Sequence, residues 1–348
     1  MSNINKRFLN LDRLDSKQQN NTVNKEELMR SFKSDVQNIN QISRKYNYVK
    51  YLGKGRQGYL HLLDDNKQHK YICKKIAFVN LSPEDRQQLE FELEILKYLS
   101  SNGAVKNFIN PCLHSKIIDG NIYTVFPLID GISLTNFKKY LNKLDKPMYY
   151  QIVKKIFRNI LHAMGNIHNA NIAHQNIDPS SILISILPEN DIGVKFTDFG
   201  LGCGNYHSIM GGNDSYNIKS NTVLSKKCGL DKINYTLKLN KKDIDRLGYS
   251  KYLKQAQKID CWKIGLILFE LLMPGYLQEI HHKHGINLNE YTDKINILLQ
   301  DIITNYDLDN DYHEYLIFLF KYLLVESKKR KSCNYVLDKL ITAIKYKY

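Results

Sequence analysis

Three closely spaced glycines, in Gly53-Lys-Gly55-Arg-Gln-Gly58-Tyr-Leu60, fall between two strand-like runs, Tyr46–Leu52 and Tyr59–Leu63. Glycine lets a hairpin backbone take up conformations other residues avoid and close down on phosphate oxygens with its N–H groups. No helical pattern comes after the third glycine, which sets the chain apart from dinucleotide-binding folds, where a helix begins there. Alone the glycine pattern says little. It gains meaning from a lysine and an acid further along the chain.

A third strand-like run, Lys70–Ile76, carries Tyr71-Ile72-Cys73-Lys74, with Asp64-Asp-Asn66 as the hairpin turn before it. A strand lysine facing a glycine loop can hold phosphate oxygens if an acid orients it. Glu92, within Phe91–Leu99, is the candidate acid. The helix that carries it starts at Ser82-Pro83-Glu84, a capping hydroxyl followed by a proline suited to the first turn, and sets Leu89, Leu93 and Leu96 on one face. Two further strand-like runs, Ser115–Ile118 and Ile122–Leu128, flank the turn Asp119-Gly120-Asn121.

Beyond Asp130 the apolar spacing turns helical, over Leu134–Leu141, Met148–Asn169, Lys258–Met273, Leu288–Asn305 and Asp311–Val325. The expected fold is therefore α+β and bilobal: a small β-rich lobe with one helix over 46–129, then a larger, mainly helical lobe over 130–345. Residues 1–45 read as an extension. Its first 23 residues are polar, like a mobile arm, and Leu28, Phe32, Val36, Ile39 and Ile42 then form one stripe of an amphipathic helix over Asn24–Arg44. Glycines, lysines and polar residues crowd Gly202–Lys258, which reads as a long, partly mobile segment. No internal repeat is present.

Composition bounds the partners. With Lys+Arg 50 against Asp+Glu 35, the 348-residue chain carries a formal charge of +15, and its pI is about 9.3. That balance allows contact with nucleic acid or acidic proteins. The lysines are spread along the chain, however, as on a solvated basic surface. Six cysteines lie far apart with no Cys-x-x-Cys pair, which argues against a zinc ribbon and a disulfide framework. The start, Met1-Ser-Asn-Ile-Asn-Lys-Arg, has no apolar signal core, and the most apolar stretches, Gly265–Met273 and Tyr315–Val325, are too short to span a membrane. The expectation is a cytoplasmic protein without a membrane span.

The remaining landmarks are His174-Gln-Asn176-Ile-Asp178-Pro-Ser-Ser181-Ile-Leu-Ile184, Asp198-Phe199-Gly200, Asp260-Cys-Trp262-Lys-Ile-Gly265 and Arg330. Taken in order behind the glycine loop and Lys74, they resemble the eukaryotic-type protein kinase family, Ser/Thr type, over about 46–345. The resemblance implies ATP and Mg²⁺, or Mn²⁺, as cofactors and a protein as substrate or partner. It implies that Gly53, Gly55 and Gly58 cover the phosphates and that Lys74, held by Glu92, binds their oxygens. Asp198 would coordinate the metal. Phe126 would be the gatekeeper, followed by the Pro127 carbonyl and Ile129 amide meeting adenine, with Leu60, Ile72 and Leu183 sandwiching the ring.

Several positions depart from the family pattern. Asn176 stands where active members have the catalytic Asp, and an amide has no useful basicity near pH 7. Asp178 puts an anion at a lysine position, and is the nearby candidate for a substitute base or else a solvated loop or helix-start acid. Ser181 replaces the Asn that holds the second metal, a weaker ligand for Mg²⁺. Gln175 replaces an Arg, and Ile72 adds bulk where Ala is usual. No Ala-Pro-Glu occurs between Asp198 and Asp260, and Asp243 or Asp245 is a candidate partner for Arg330.

Other signals carry less. Asp307-Leu-Asp309-Asn-Asp311 imitates a calcium loop but has Tyr312 at the required Gly and Phe318 at the required Glu. His281-His-Lys-His284 reads as a basic loop, and Lys328-Lys-Arg330-Lys331 as a structural arginine with solvated neighbours. The leading reading is a pseudokinase-like protein that keeps much of the ATP site and acts through partners. The alternatives are an active Ser/Thr kinase in which Asn176 orients the hydroxyl, and a basic nucleic-acid-binding module with a vestigial nucleotide site.

Overall fold

The computed structural model describes residues 25–55, 58–200, 202–204, 241–277 and 310–345. The polar stretch 1–23, the loop tip Arg56-Gln57, the histidines at 281–284, the helix expected over 288–305 and most of the calcium-like stretch lie outside them, as do the side chains of Asp243 and Asp245. The chain divides into two compact units, one of residues up to Asn80 with Cys112–Gly131, the other of Leu81–Pro111 with Ile132 onward.

The first unit is an antiparallel sheet backed by a helix. Helix α1 (Lys25–Ile42) leads into β1 (Asn47–Gly55), β2 (Gly58–Asp64), β3 (Lys70–Ala77), β4 (His114–Ile118) and β5 (Asn121–Pro127), in spatial order β1-β2-β3-β5-β4. The β2–β3 turn is built on Asp65. Its Oδ1 accepts from the amides of Lys67 and His69, each at 2.9 Å, and its Oδ2 accepts from the Tyr71 hydroxyl at 2.8 Å. These bonds hold its carboxyl well below the usual carboxylate range, although burial pulls the other way. Ile39 of α1 is fully buried and packs with Tyr46, just before β1, and with Leu63, Tyr71, Cys73, Tyr123 and Val125 of the sheet. Of the apolar stripe read from sequence, Ile39 and Ile42 pack against the sheet, while the side chains of Leu28 and Phe32 lie outside the described residues.

The second unit is mainly helical. Helix α2 (Pro83–Ser101) begins where its sequence signals it, the Ser82 Oγ accepting from the Asp85 amide at 3.1 Å. Strand β6 (Ile132–Ser133) leads into α3 (Leu134–Leu141), and α4 (Lys146–Asn169) buries Val153, Ile156, Phe157, Ile160, Leu161 and Met164 along one stripe. Short β7 (Ile172–Ala173) pairs with β10 (Cys203–Gly204), while β8 (Ile182–Ile186) and β9 (Ile192–Phe196) pair with each other, and β8 pairs with β6. Helix α5 (Lys241–Leu272) extends well before the expected start at Lys258. Its lysines are good helix formers, and the single Gly248 costs only about 1 kcal/mol relative to alanine, so residues 241–257, read from sequence as part of a long, partly mobile segment, form helix. The stretch expected as one helix over Asp311–Val325 is α6 (Asn310–Phe318) followed by a π-helical turn over Leu319–Leu323. The Leu324 amide accordingly reaches back to the Leu319 carbonyl at 2.7 Å. Helix α7 (Cys333–Lys345) ends the described chain. Among the described residues no helix is long and apolar enough to cross a membrane.

Candidate active site

Strand register sorts the first unit's candidate residues onto one face. Residues opposite each other in a ladder share a face, and alternate residues of a strand point to opposite faces. Leu60 pairs with Lys74 and Lys74 with Thr124; Leu62 pairs with Ile72 and Ile72 with Phe126. Leu60, Ile72, Lys74 and Phe126 therefore lie together. The alternating set, which includes His61, Cys73, Lys75, Tyr123 and Val125, lies on the face that α1 covers. Pro127 ends β5 opposite Tyr71, and half-buried Ile129 comes two residues later, after the Leu128 amide donates to the Lys70 carbonyl at 2.9 Å.

Two glycines are required for different reasons. Gly53 has φ +139°, which strains other residues, although a Cβ there would meet nothing within 4 Å. Gly58 is required by crowding: a Cβ would stand 2.1 Å from the Lys75 carbonyl oxygen. Gly55 pairs with Gly58 at the end of the β1–β2 ladder.

The second unit carries the other candidates. Glu92 is 8% exposed on α2, and half-buried Leu183 lies on β8. The segment 174–181 is organised around Asp260, which is fully buried on α5. One Asp260 oxygen accepts from the His174 amide and the other from the Gln175 amide, both at 2.7 Å, while His168 Nε2 lies 3.1 Å from the first. Burial alone would lower the His168 pKa, but the hydrogen bonds to Asp260 and Cys261 outweigh it and push the ring up to about 9. Lys263 Nζ donates to the Gln175 carbonyl at 2.7 Å. Gln175 is thereby held at φ 60°, a left-handed conformation uncommon for a side chain of its kind.

His174 is fully buried and its pKa is lowered, first by that burial. A neutral ring with its proton on Nε2 fits both neighbours: Nε2 donates to the Thr197 carbonyl at 2.9 Å and Nδ1 accepts from the Asn176 amide at 3.2 Å. Its ring centroid lies 4.4 Å from that of buried Phe199. Asn176 is thus placed by His174. Its side-chain Nδ2 donates to Asp198 Oδ2 at 2.8 Å, and Asp198 itself has φ 65°.

Asp178 and Ser181 close a turn on each other. The Asp178 Oδ1 accepts from the amides of Ser180 at 2.6 Å and Ser181 at 3.2 Å. The Ser181 hydroxyl, on a residue only 2% exposed, accepts from the Asp178 amide at 3.1 Å and donates to the Asp178 carbonyl at 2.9 Å. As metal donors the set is uneven. Asp198 offers a carboxylate, the ligand type Mg²⁺ prefers, whereas the Ser181 hydroxyl is engaged with backbone on both sides.

Sequence reasoning singled out Asp260 only as a landmark and missed His168 and Lys263 as parts of this arrangement. Spacing carried no signal for them, because their partners stand on other elements. Arg330 is buried, its guanidinium donating to the carbonyls of Leu323, Lys258 and Val325 at 2.8–2.9 Å, while Lys328, Lys329 and Lys331 are all exposed.

Residues 46–217 match the protein kinase domain family. The chain is 27% identical over 246 residues to a probable serine/threonine-protein kinase, fhkA, of Dictyostelium discoideum, a match covering 66% of this chain and 38% of that protein. It is 25% identical to calcium-dependent protein kinase 4 of Plasmodium berghei, over 74% of this chain and 44% of that protein. It is also 25% identical to myosin light chain kinase A of Dictyostelium discoideum, over 86% of this chain and 88% of that protein. The chain thus spans about half or less of the length of the first two relatives and most of the third. With the five-stranded antiparallel sheet, the helical second unit and the ordered landmarks, these matches support a eukaryotic-type protein kinase domain of the Ser/Thr type.

Proposed function

We propose that this chain is a nucleotide-binding, pseudokinase-like protein that transfers phosphate weakly or not at all and acts through a protein partner. The observation that carries the reading is the Asn176 Nδ2–Asp198 Oδ2 hydrogen bond at 2.8 Å. A neutral amide stands beside the candidate metal-binding carboxylate, where active relatives place a base. An amide can orient a substrate hydroxyl but cannot take its proton, and loss of a general base typically costs ~10²–10⁴ in rate. Asp178 is a poor replacement because its Oδ1 already accepts two backbone amides of its own turn.

In this reading Lys74 binds phosphate oxygens, Leu60, Ile72, Phe126 and Leu183 offer apolar surface to adenine, and the backbone at Pro127 and Ile129 reads its edge. The metal, Mg²⁺ or Mn²⁺, would be held by Asp198 and would neutralise phosphate charge. Ser181 would contribute to a second metal only by releasing the Asp178 backbone.

The test is thermal unfolding of the protein alone, with ATP, and with ATP plus Mg²⁺ or Mn²⁺, wild type beside Asp198→Asn. Ligand at 100 times its Kd stabilises the folded state by about 2.7 kcal/mol. A metal-dependent upward shift in wild type, lost in Asp198→Asn, is the expected result. No shift under any condition would overturn nucleotide binding.

A second reading, Ser/Thr phosphotransfer, is favoured by the order of the 174–176 backbone, which Asp260 and Lys263 fix independently of the side chain at 176. Phosphoryl transfer depends mostly on positioning and electrostatics. It requires ATP-dependent phosphate incorporation that both Lys74→Met and Asp198→Asn abolish. Incorporation that survives both changes comes from a contaminant.

A further inference from the structure

The sheet face opposite Lys74 carries a buried polar cluster that no spacing or motif in the chain announces. Asp35 of α1 is 3% exposed, and its Oδ1 accepts from Lys75 Nζ of β3 and from the Tyr123 hydroxyl of β5, the latter at 2.9 Å. Asn38, one turn further along α1 and also buried, donates to the same Tyr123 oxygen at 3.2 Å. His61 Nε2 of β2 lies 3.7 Å from the second Asp35 oxygen. Burial above all holds the Tyr123 phenol protonated far above its ordinary range; the Asn38 bond pulls against that shift and the Asp35 bond adds to it. One carboxylate on the extension therefore faces three adjacent strands at once.

Lys75 and Tyr123 are paired across the β3–β5 ladder, in the row next to Lys74–Thr124. A side chain fixed at Lys75 fixes the pleat of β3 at that point, and the pleat determines where Lys74 points on the opposite face. Removing the carboxylate would leave a largely enclosed ammonium, its side chain 13% exposed, without its counter-charge, a costly state that the strand would relieve by shifting. We infer that α1 is a brace for the nucleotide-binding strand, with Asp35 a positioning residue that acts on Lys74 through its hold on Lys75. This rests on the reading of Lys74 as a phosphate-binding residue.

The experiment compares ATP and adenosine binding to the full chain, by titration calorimetry, in wild type, Asp35→Asn and Lys75→Gln. The last variant breaks the same contact from the strand side and leaves Asp35 in place. Adenosine lacks the phosphates, so a strand that only misplaces Lys74 weakens ATP and spares adenosine. The expected result is a loss of roughly 5- to 30-fold in ATP affinity in either variant, with adenosine changed by less than about twofold. The loss should also be non-additive: Asp35→Asn in a Lys74→Met background should cost ATP binding nothing further.

Unchanged ATP affinity in both variants would overturn the inference. So would equal losses for the two ligands, or full additivity with Lys74→Met, since those are the marks of general destabilisation. Wild type that binds neither ligand would overturn the nucleotide reading, and the inference with it. That failure is recognised in wild type alone.

Discussion

The sheet of the first unit and the loop of the second carry the two halves of the candidate chemistry, and they are held in place by different physics. In the sheet, Leu60, Ile72, Lys74 and Phe126 share a face because the strand period is two and the ladders are in register. Each position depends mainly on local alternation. In the loop, Asn176 is placed by a chain of buried polar contacts running from Asp260 through the His174 backbone and ring, with Gln175 and Asp198 both at positive φ. A register tolerates the loss of one side chain, whereas a buried network loses its partners together.

Two of the buried histidines make the same point. His174 has a partner for each ring nitrogen, whereas neither nitrogen of His61 has a hydrogen-bond partner, although the residue is only 1% exposed.

The comparison is broken most forcefully at Asp260. Asp260→Ala leaves two backbone amides and His168 without their acceptor, and is expected to destabilise the fold by about 3–5 kcal/mol in urea unfolding. A loss below about 1 kcal/mol would show that the loop does not depend on that carboxylate. Next in size is Gly58→Val. Its Cβ meets backbone rather than a flexible side chain, so the β1–β2 hairpin must shift, at an expected cost of about 1–3 kcal/mol. Unchanged stability would show that the hairpin yields without cost.

The histidines sharpen the contrast. His174→Phe is expected to cost about 1–3 kcal/mol, because it orphans the Asn176 amide and the Thr197 carbonyl. His61→Phe removes a polar ring that has no hydrogen bond to lose, and is expected to be neutral or stabilising by up to about 1 kcal/mol. Equal losses at the two positions would contradict the distinction.

The smallest effect is one of pH. Burial lowers the His61 pKa; Asp35 opposes that shift and Lys75 assists it. Near pH 7 the ring is neutral in the folded state. As pH falls through the unfolded value of about 6.5, the unfolded chain takes up a proton that the folded chain refuses, so stability declines toward acid. His174 contributes with the same sign. Unfolding measured from pH 7.5 to 5 should show a shallower decline in His61→Phe than in wild type. An identical slope would remove His61 from the acid response.

Legibility in the sequence divides along the same line. The strands, their turns and the cap at Ser82 were readable because they rest on short periods and local turn chemistry, whereas the face shared by Leu60, Ile72 and Lys74 came from the strand register. Helix α5 began earlier than its apolar spacing suggested, because residues 241–257 are helix-compatible without being apolar on one side. The departures at Gln175, Asn176, Asp178 and Ser181 were visible as letters, but what each side chain touches was not. Ser181 bonding to the Asp178 backbone and Asn176 to Asp198 are products of the folded loop, and the second joins residues 22 positions apart. Asp35 was least legible: within α1 it is one polar residue among many, and its partners lie on β2, β3 and β5.

The central claim is that the phosphotransfer half is altered at several positions rather than one. It is tested most directly by single-turnover transfer of labelled γ-phosphate to a generic Ser/Thr substrate, wild type beside Asn176→Asp. Restoring the carboxylate supplies a base but leaves the Asp178 anion and the committed Ser181 hydroxyl in place, so transfer should stay within about tenfold of wild type. A gain of ~10²–10⁴, the full worth of a general base, would show that Asn176 alone separates this chain from an active kinase and would contradict the account.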